Sequence, residues 1–328
     1  MMKRAIGGWR RAIVTGGLLA AALVAACAVS PANAQQKLKV VATTSMIADA
    51  LKQVGGDRVE VSALMGAGVD PHTYRQTRSD IVAMTKADVV FWHGLYLEAQ
   101  LETFFKDLAK RKKVIALAEA LPKEKLHSSA QYPGRYDPHV WMDPQLWKGV
   151  ISAAYNELIK LDPGGAAQFK ANTERHLAEV DALTVYAKRV LANVPEKSRV
   201  LVTAHDAFSY FGRAFGYEVL GIQGISTESE AGLKQIEDLV QVIVDKEIRA
   251  IFIESSVSDR NIKALVEGAA AKGHKVIIGG ELFSDAMGAP GTYEGTYIGM
   301  IDHNTTVITR ALGGEAPAKG LNNRLAAM

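Results

Sequence analysis

Short β-branched and apolar runs alternate along this chain with helix-like stretches, and that alternation leaves few folds open. Residues 38–43, 59–64, 87–92 and 113–117 read as strands, with helical spacing over 47–54, 79–86 and 97–110 between them. The second half repeats the style, with strands at 199–203, 217–220, 250–254 and 275–278 and helices over 206–215, 232–246 and 258–272. Strands separated by helical patterns imply a parallel sheet with helices on both faces. The fold class predicted is therefore α/β, in two lobes of about equal size. No strict sequence repeat relates them.

Between the lobes the sequence reads as one long helix. Asp162-Pro163 offers an N-cap followed by proline at the first helical position. From there to Asn193 there is no further proline, and apolar positions from Phe169 to Leu191 recur at helical intervals. The predicted division is 35–161 for the first lobe, 162–193 for the linking helix and 194–328 for the second lobe.

Residues 1–34 stand apart. Lys3, Arg4, Arg10 and Arg11 precede an apolar run over 12–29, and Ala32-Asn33-Ala34 supplies small residues where a signal peptidase cuts. The segment reads as a signal peptide, cleaved after Ala34 to release a periplasmic protein. Val24-Ala25-Ala26-Cys27 offers an alternative, a lipoprotein cut that would leave the chain anchored through Cys27, its single cysteine. Either way no intramolecular disulfide can form.

Without that segment 34 Lys and Arg face 35 Asp and Glu, a formal charge of −1. The basicity of the full chain belongs to the export signal and gives no argument for a nucleic-acid partner. With 48% hydrophobic residues the chain is too apolar to be disordered. Only the N-terminal run is long enough to cross a bilayer.

The chemistry lies with the histidines. His72 and His139 each follow an Asp-Pro pair, Asp70-Pro71-His72 after a strand and Asp137-Pro138-His139 before a helix. Proline fixes its own φ and restricts the residue before it, so a histidine next in line has a defined backbone position. His205 ends the first strand of the second lobe, where open α/β sheets bind ligands. Glu281 and Asp285 both follow that lobe's last predicted strand, and both are candidates. Imidazoles with carboxylate oxygens suit Zn²⁺ or Mn²⁺. From spacing alone, the same residues also suit caps and turns.

With these motifs in view the chain resembles the zinc- and manganese-binding receptors of bacterial metal-importing ABC transporters, the cluster A-I or cluster 9 substrate-binding proteins. The resemblance runs through Pro71-His72-Thr73-Tyr74, Asp137-Pro138-His139-Val140-Trp141 and the segment from Thr203 to Phe211. It continues through Gly224-Ile225-Ser226-Thr227-Glu228-Ser229-Glu230 to Asp285-Ala286-Met287-Gly288. It implies two Rossmann-like lobes, each a parallel sheet with flanking helices, bridged by one long α-helix. It implies metal ligands His72, His139, His205 and Asp285, one ion per chain, zinc or manganese, carried in the interlobe cleft. The implied partner is an inner-membrane ABC permease, the receptor being a monomer and not an enzyme. Manganese receptors often carry glutamate where His205 stands, which places this chain in the three-histidine, one-aspartate subset. The His-rich loop of many zinc receptors is missing, since residues 121–136 hold only His127 and Glu124 of the relevant types. His93, where relatives commonly carry asparagine, reads as structural.

Two other function classes fit part of the pattern. A metallohydrolase would need an open coordination position and a base, for which Glu230 or Glu281 could serve. No His-Glu-x-x-His run is present. A surface adhesin or metal-chelate receptor on the same scaffold would have to accommodate three converging histidines.

Overall fold

Strands β1 (Leu38–Ala42), β2 (Val59–Ala63), β3 (Val89–Trp92) and β4 (Lys113–Ala116) make a wholly parallel sheet in the order β2-β1-β3-β4. The register sets Leu38 opposite Val59 and Val40 opposite Val89. The computed structural model describes residues 36–129 and 132–326. The predicted signal peptide over 1–34, with Cys27 and the predicted cleavage position after Ala34, lies outside the described residues.

Helix α1 (Ser45–Gly55) starts where Thr44 accepts the Ile47 N–H, and the chain turns at Gly56 with φ 58°. Its buried residues, including Ile47, Leu51 and Val54, belong to the core beneath the sheet. Helix α2 (Arg78–Lys86) opens with a capping box between Thr77 and Asp80. The helix predicted over 97–110 is shorter: a 3-10 turn at Ala99–Leu101 leads into α3 (Glu102–Leu108). The cause is Glu98, which is buried and turned inward. It accepts the Thr43 hydroxyl at 2.6 Å and the backbone N–H groups of His93 and Gly94 at 2.8 and 3.1 Å. The chain wraps around that carboxylate, with Leu95 and Tyr96 at positive φ, before a helix can begin.

Helix α4 (Pro144–Leu161) follows the second Asp-Pro-His. Asp143 caps it by accepting the N–H groups of Gln145 and Leu146. A 3-10 turn at Pro163–Gly165 then leads into α5 (Ala166–Leu191). Asp162 pairs with Arg58 at 2.7 Å. Helix α5 has 26 residues, about 39 Å at 1.5 Å per residue.

The second lobe holds β5 (Val200–His205), β6 (Glu218–Gln223), β7 (Ala250–Glu254) and β8 (Ile277–Leu282), with α6 (Ser209–Phe215), α7 (Leu233–Asp245), α8 (Arg260–Ala271) and α9 (Tyr297–Ala311). Its strands form two parallel pairs, β5–β6 and β7–β8, with β5 beside β7. Helix α5 packs on α1 and α4 of the first lobe and on α6 and α9 of the second. One core accordingly runs through both lobes, including Trp141, Trp147, Phe169, Leu183, Tyr210 and Tyr297. A second core fills the space among β5, β7, α7 and α8. Among the described residues no helix is long and apolar enough to cross a membrane.

Candidate metal centre

Each histidine of the centre is placed by a carboxylate. Asp70 Oδ1 accepts the His72 backbone N–H at 2.8 Å. Asp137 Oδ1 accepts the His139 backbone N–H at 3.0 Å and its ring Nδ1–H at 2.7 Å. The aspartate of each Asp-Pro-His therefore folds the turn onto its histidine, while the proline stiffens it. Pro138 is held in turn, because His93 Nε2 donates to its carbonyl at 2.8 Å. Burial keeps the His93 ring neutral, with its pKa pushed down to about 3.

His205 is the last residue of β5, and Glu254 is the last residue of β7. Glu254 accepts the His205 backbone N–H at 2.9 Å through Oε1 and its ring Nδ1–H at 2.6 Å through Oε2. Both residues are buried. Sequence reading missed Glu254. The available signal was an acid closing an otherwise apolar strand, Ala-Ile-Phe-Ile-Glu.

Of the two acids after the last strand, only Asp285 reaches the centre. Strand β8 runs further than predicted, to Leu282, so Glu281 lies within it and is exposed. Asp285 sits three residues beyond the strand and is buried. Trp141 holds its loop by donating Nε1–H to the Ser284 carbonyl at 2.8 Å. Glu230 is exposed as well, so neither carboxylate that a hydrolytic reading would use lies in the buried cluster.

His72, His139, His205 and Asp285 converge with one ligand atom each, all within 4.8 Å of one another. His139 Nε2 lies 3.3 Å from both His72 Nε2 and His205 Nε2. Asp285 oxygens lie 3.7, 3.4 and 3.1 Å from the Nε2 atoms of His72, His139 and His205. The Nδ1–H groups of His139 and His205 are committed to Asp137 and Glu254, so their Nε2 atoms face each other across the gap. Two imidazole nitrogens at that distance need a proton or a metal ion between them. Ligands about 2.0–2.1 Å from a tetrahedral Zn²⁺ stand about 3.3 Å apart, so the observed spacing fits one such ion.

The electrostatics follow the same division. Burial lowers the His72 pKa to about 3 against the pull of Asp285. For His139 burial also opposes charge, but Asp137 and Asp285 outweigh it and lift the pKa to about 9. His205 is raised well above its ordinary value, as Asp285 and Glu254 overcome burial. Burial would raise the Asp285 pKa, yet His205, His139 and His72 hold it well below the usual carboxylate range. The raised pKa values favour protons on the His139 and His205 rings, which a metal ion would have to displace.

Residues 40–311 match the family described as ZnuA, zinc-uptake complex component A, periplasmic. The chain belongs to this family. It is 45% identical over 304 residues to the manganese-binding lipoprotein MntA of Bacillus subtilis, a match covering 90% of this chain and 99% of that protein. It is 44% identical over 281 residues to the zinc-binding protein TroA of Treponema pallidum, covering 86% of this chain and 91% of that one. The solved structure of the Treponema pallidum periplasmic zinc-binding protein TroA superposes with a TM-score of 0.82, covering 84% of this chain and 99% of that chain.

The remaining histidines of this ZnuA-family chain have other partners. His127 stacks on Tyr210, with centroids 4.3 Å apart. His176 Nδ1 pairs with Glu179 at 3.1 Å. His274 and His303 donate to the carbonyls of Ile248 and Glu281.

Proposed function

We propose that the chain is an exported receptor that captures one divalent transition metal ion and delivers it to an inner-membrane ABC permease. His72 and His139 come from the first lobe, and His205 and Asp285 from the second. The observation that carries this reading is the buried four-ligand cluster at metal-ligand spacing. Four protein ligands with no exposed side suit carriage of an ion, since a catalytic site keeps a position open. The three rings stand with centroids 5.1–5.7 Å apart, which suits a single ion and leaves no space for an organic chelate. We take residues 35–161 and 194–328 as the two lobes and 162–193 as the connector, and the working unit as a monomer.

Zinc is the proposed cargo. Three imidazoles favour zinc over manganese by the Irving–Williams trend. The two relatives differ, one named for manganese and one for zinc. Elemental analysis of protein purified from the periplasm without chelators, followed by titration of the stripped protein with both metals, tests the reading. One tightly held ion per chain is expected. Manganese that holds its place against equimolar zinc would reverse the assignment of the metal, and a protein that binds neither would remove the receptor reading.

Metal uptake should release protons. His139 and His205 have raised pKa values, so at neutral pH the metal-free protein carries protons that coordination must expel. Apparent affinity should rise with pH toward about 9 and fall on acidification, roughly tenfold per pH unit for each proton released. Calorimetric titration in buffers of different ionisation enthalpy counts those protons directly, and a count of zero would contradict the charge state described above.

Glu254→Gln should weaken zinc binding by about tenfold, because it removes the charge that orients His205 and raises its basicity. Competition against a chelating dye measures the change, and an unchanged affinity would deny Glu254 that role.

The N-terminus carries two proposals with one test. Cleavage after Ala34 would give a protein free in the periplasm, beginning at Gln35. The Bacillus subtilis relative is named a lipoprotein, which supports the alternative of a lipid anchor on Cys27. The intact mass of the mature N-terminus separates them.

A further inference from the structure

Four of the five motifs that mark this chain supply the metal ligands of the proposed centre, and one does not. Residues 224–230 follow β6 and contribute nothing to the cluster, yet they are fixed in a definite shape. Gln223 Nε2 donates to the carbonyls of Thr227 and Ser229, at 3.4 and 3.0 Å. The Ser226 hydroxyl accepts the Glu228 N–H at 3.3 Å. So held, Thr227 projects to the opposite lobe and donates its hydroxyl to Asp70 Oδ2 at 2.6 Å. Asp70 is the carboxylate whose other oxygen accepts the His72 N–H, and its Oδ2 also accepts the Thr73 hydroxyl at 2.9 Å. A residue of the second lobe thus touches the turn that aims a first-lobe ligand.

The position matters because the centre is sealed. The four ligands are at most 2% exposed, so no ion can enter or leave unless a wall moves. Several hydrogen bonds cross between the lobes around the centre, and they are not equal. Trp141 to Ser284, Tyr297 to Trp141 and Tyr210 to Asp137 are fully buried. Tyr210 and Tyr297 lie on α6 and α9, which pack on α5, so these bonds belong to the shared core. The Thr227–Asp70 bond is only part-buried, and its neighbour, Gln100 to Glu228, is exposed. The loop leads into α7, which packs on α8 and β6. Openings of low free energy draw on segments with few buried apolar contacts and solvent-accessible hydrogen bonds.

We propose that Thr227 is a positioning residue for metal retention: its hydroxyl clasps Asp70 across the lobes, steadies the His72 turn, and must let go for the ion to leave. The inference rests on the receptor reading above. A hydrogen bond to a charged group is worth enough to change a rate by an order of magnitude or more. Thr227→Val keeps the shape and removes the hydroxyl, and Thr227→Ser keeps the hydroxyl.

The test loads the mature protein with zinc and follows its release to excess chelator by stopped flow. Release should be about tenfold faster in Thr227→Val and close to wild type in Thr227→Ser, with the metal-free melting temperature unchanged in both. Asp70→Asn should also speed release, and adding Thr227→Val to it should change the rate little further, since the two act through one bond. Wild-type release from Thr227→Val, or full additivity with Asp70→Asn, would overturn the clasp and leave the receptor reading standing. Failure of the wild-type protein to take up zinc would remove both.

Discussion

His139→Ala is expected to weaken zinc binding by on the order of a hundredfold or more. Structural zinc sites are worth about 10–16 kcal/mol over four ligands, so one ligand carries about 3 kcal/mol, and each 1.4 kcal/mol is tenfold. His139 should lie at the heavy end of that range, because its Nε2 is the nitrogen that lies 3.3 Å from both other imidazoles. It is also firmly oriented, with Asp137 on its ring and backbone and His93 behind Pro138. Competition with a chromophoric chelator gives the affinity, and circular dichroism checks that the variant is folded. Unaltered affinity would remove His139 from the ligand set and with it the proposed centre.

Zinc at a thousandfold excess over Kd should stabilise the protein by about 4 kcal/mol, which for a chain of this size raises Tm by on the order of 10 °C. The reason is linkage: the unfolded chain cannot present four ligands from β-strand ends and loops more than 200 residues apart in sequence. The shift should follow the free zinc concentration, since it is a mass-action effect, and should shrink strongly in His139→Ala. Thermal melts at buffered free zinc measure both. A Tm that ignores zinc over that range would mean that the cluster does not bind zinc in the folded state.

These two predictions use residues that could be found by reading alone, and the reason is local. Asp-Pro-His imposes its geometry over three residues, with the aspartate accepting the histidine N–H and the proline restricting the chain. Strand and helix periods are also local, so β1, β2, β3, β5 and β7 lie close to where the pattern puts them. The local pattern misleads where a distant contact sets the backbone. Glu98, drawn inward by Thr43 and the His93 amide, delays α3. Strand β8 extends to Leu282 because it pairs with β7 through Glu254, which places Glu281 on an exposed strand and leaves Asp285 to the loop.

Local pattern is enough for the α/β class, for reading the first 34 residues as an export signal, and for the short list of histidines and acids able to hold a metal. Which of them meet depends on the packing of the whole chain. That packing brings His72, His139, His205 and Asp285 within 4.8 Å, sets Glu254 against a histidine 49 residues away, and joins Thr227 to Asp70 across 157 residues. Side-chain period and turn chemistry act over a few residues, while these contacts are fixed by how two sheets and one long helix pack, and that information is spread over the whole core.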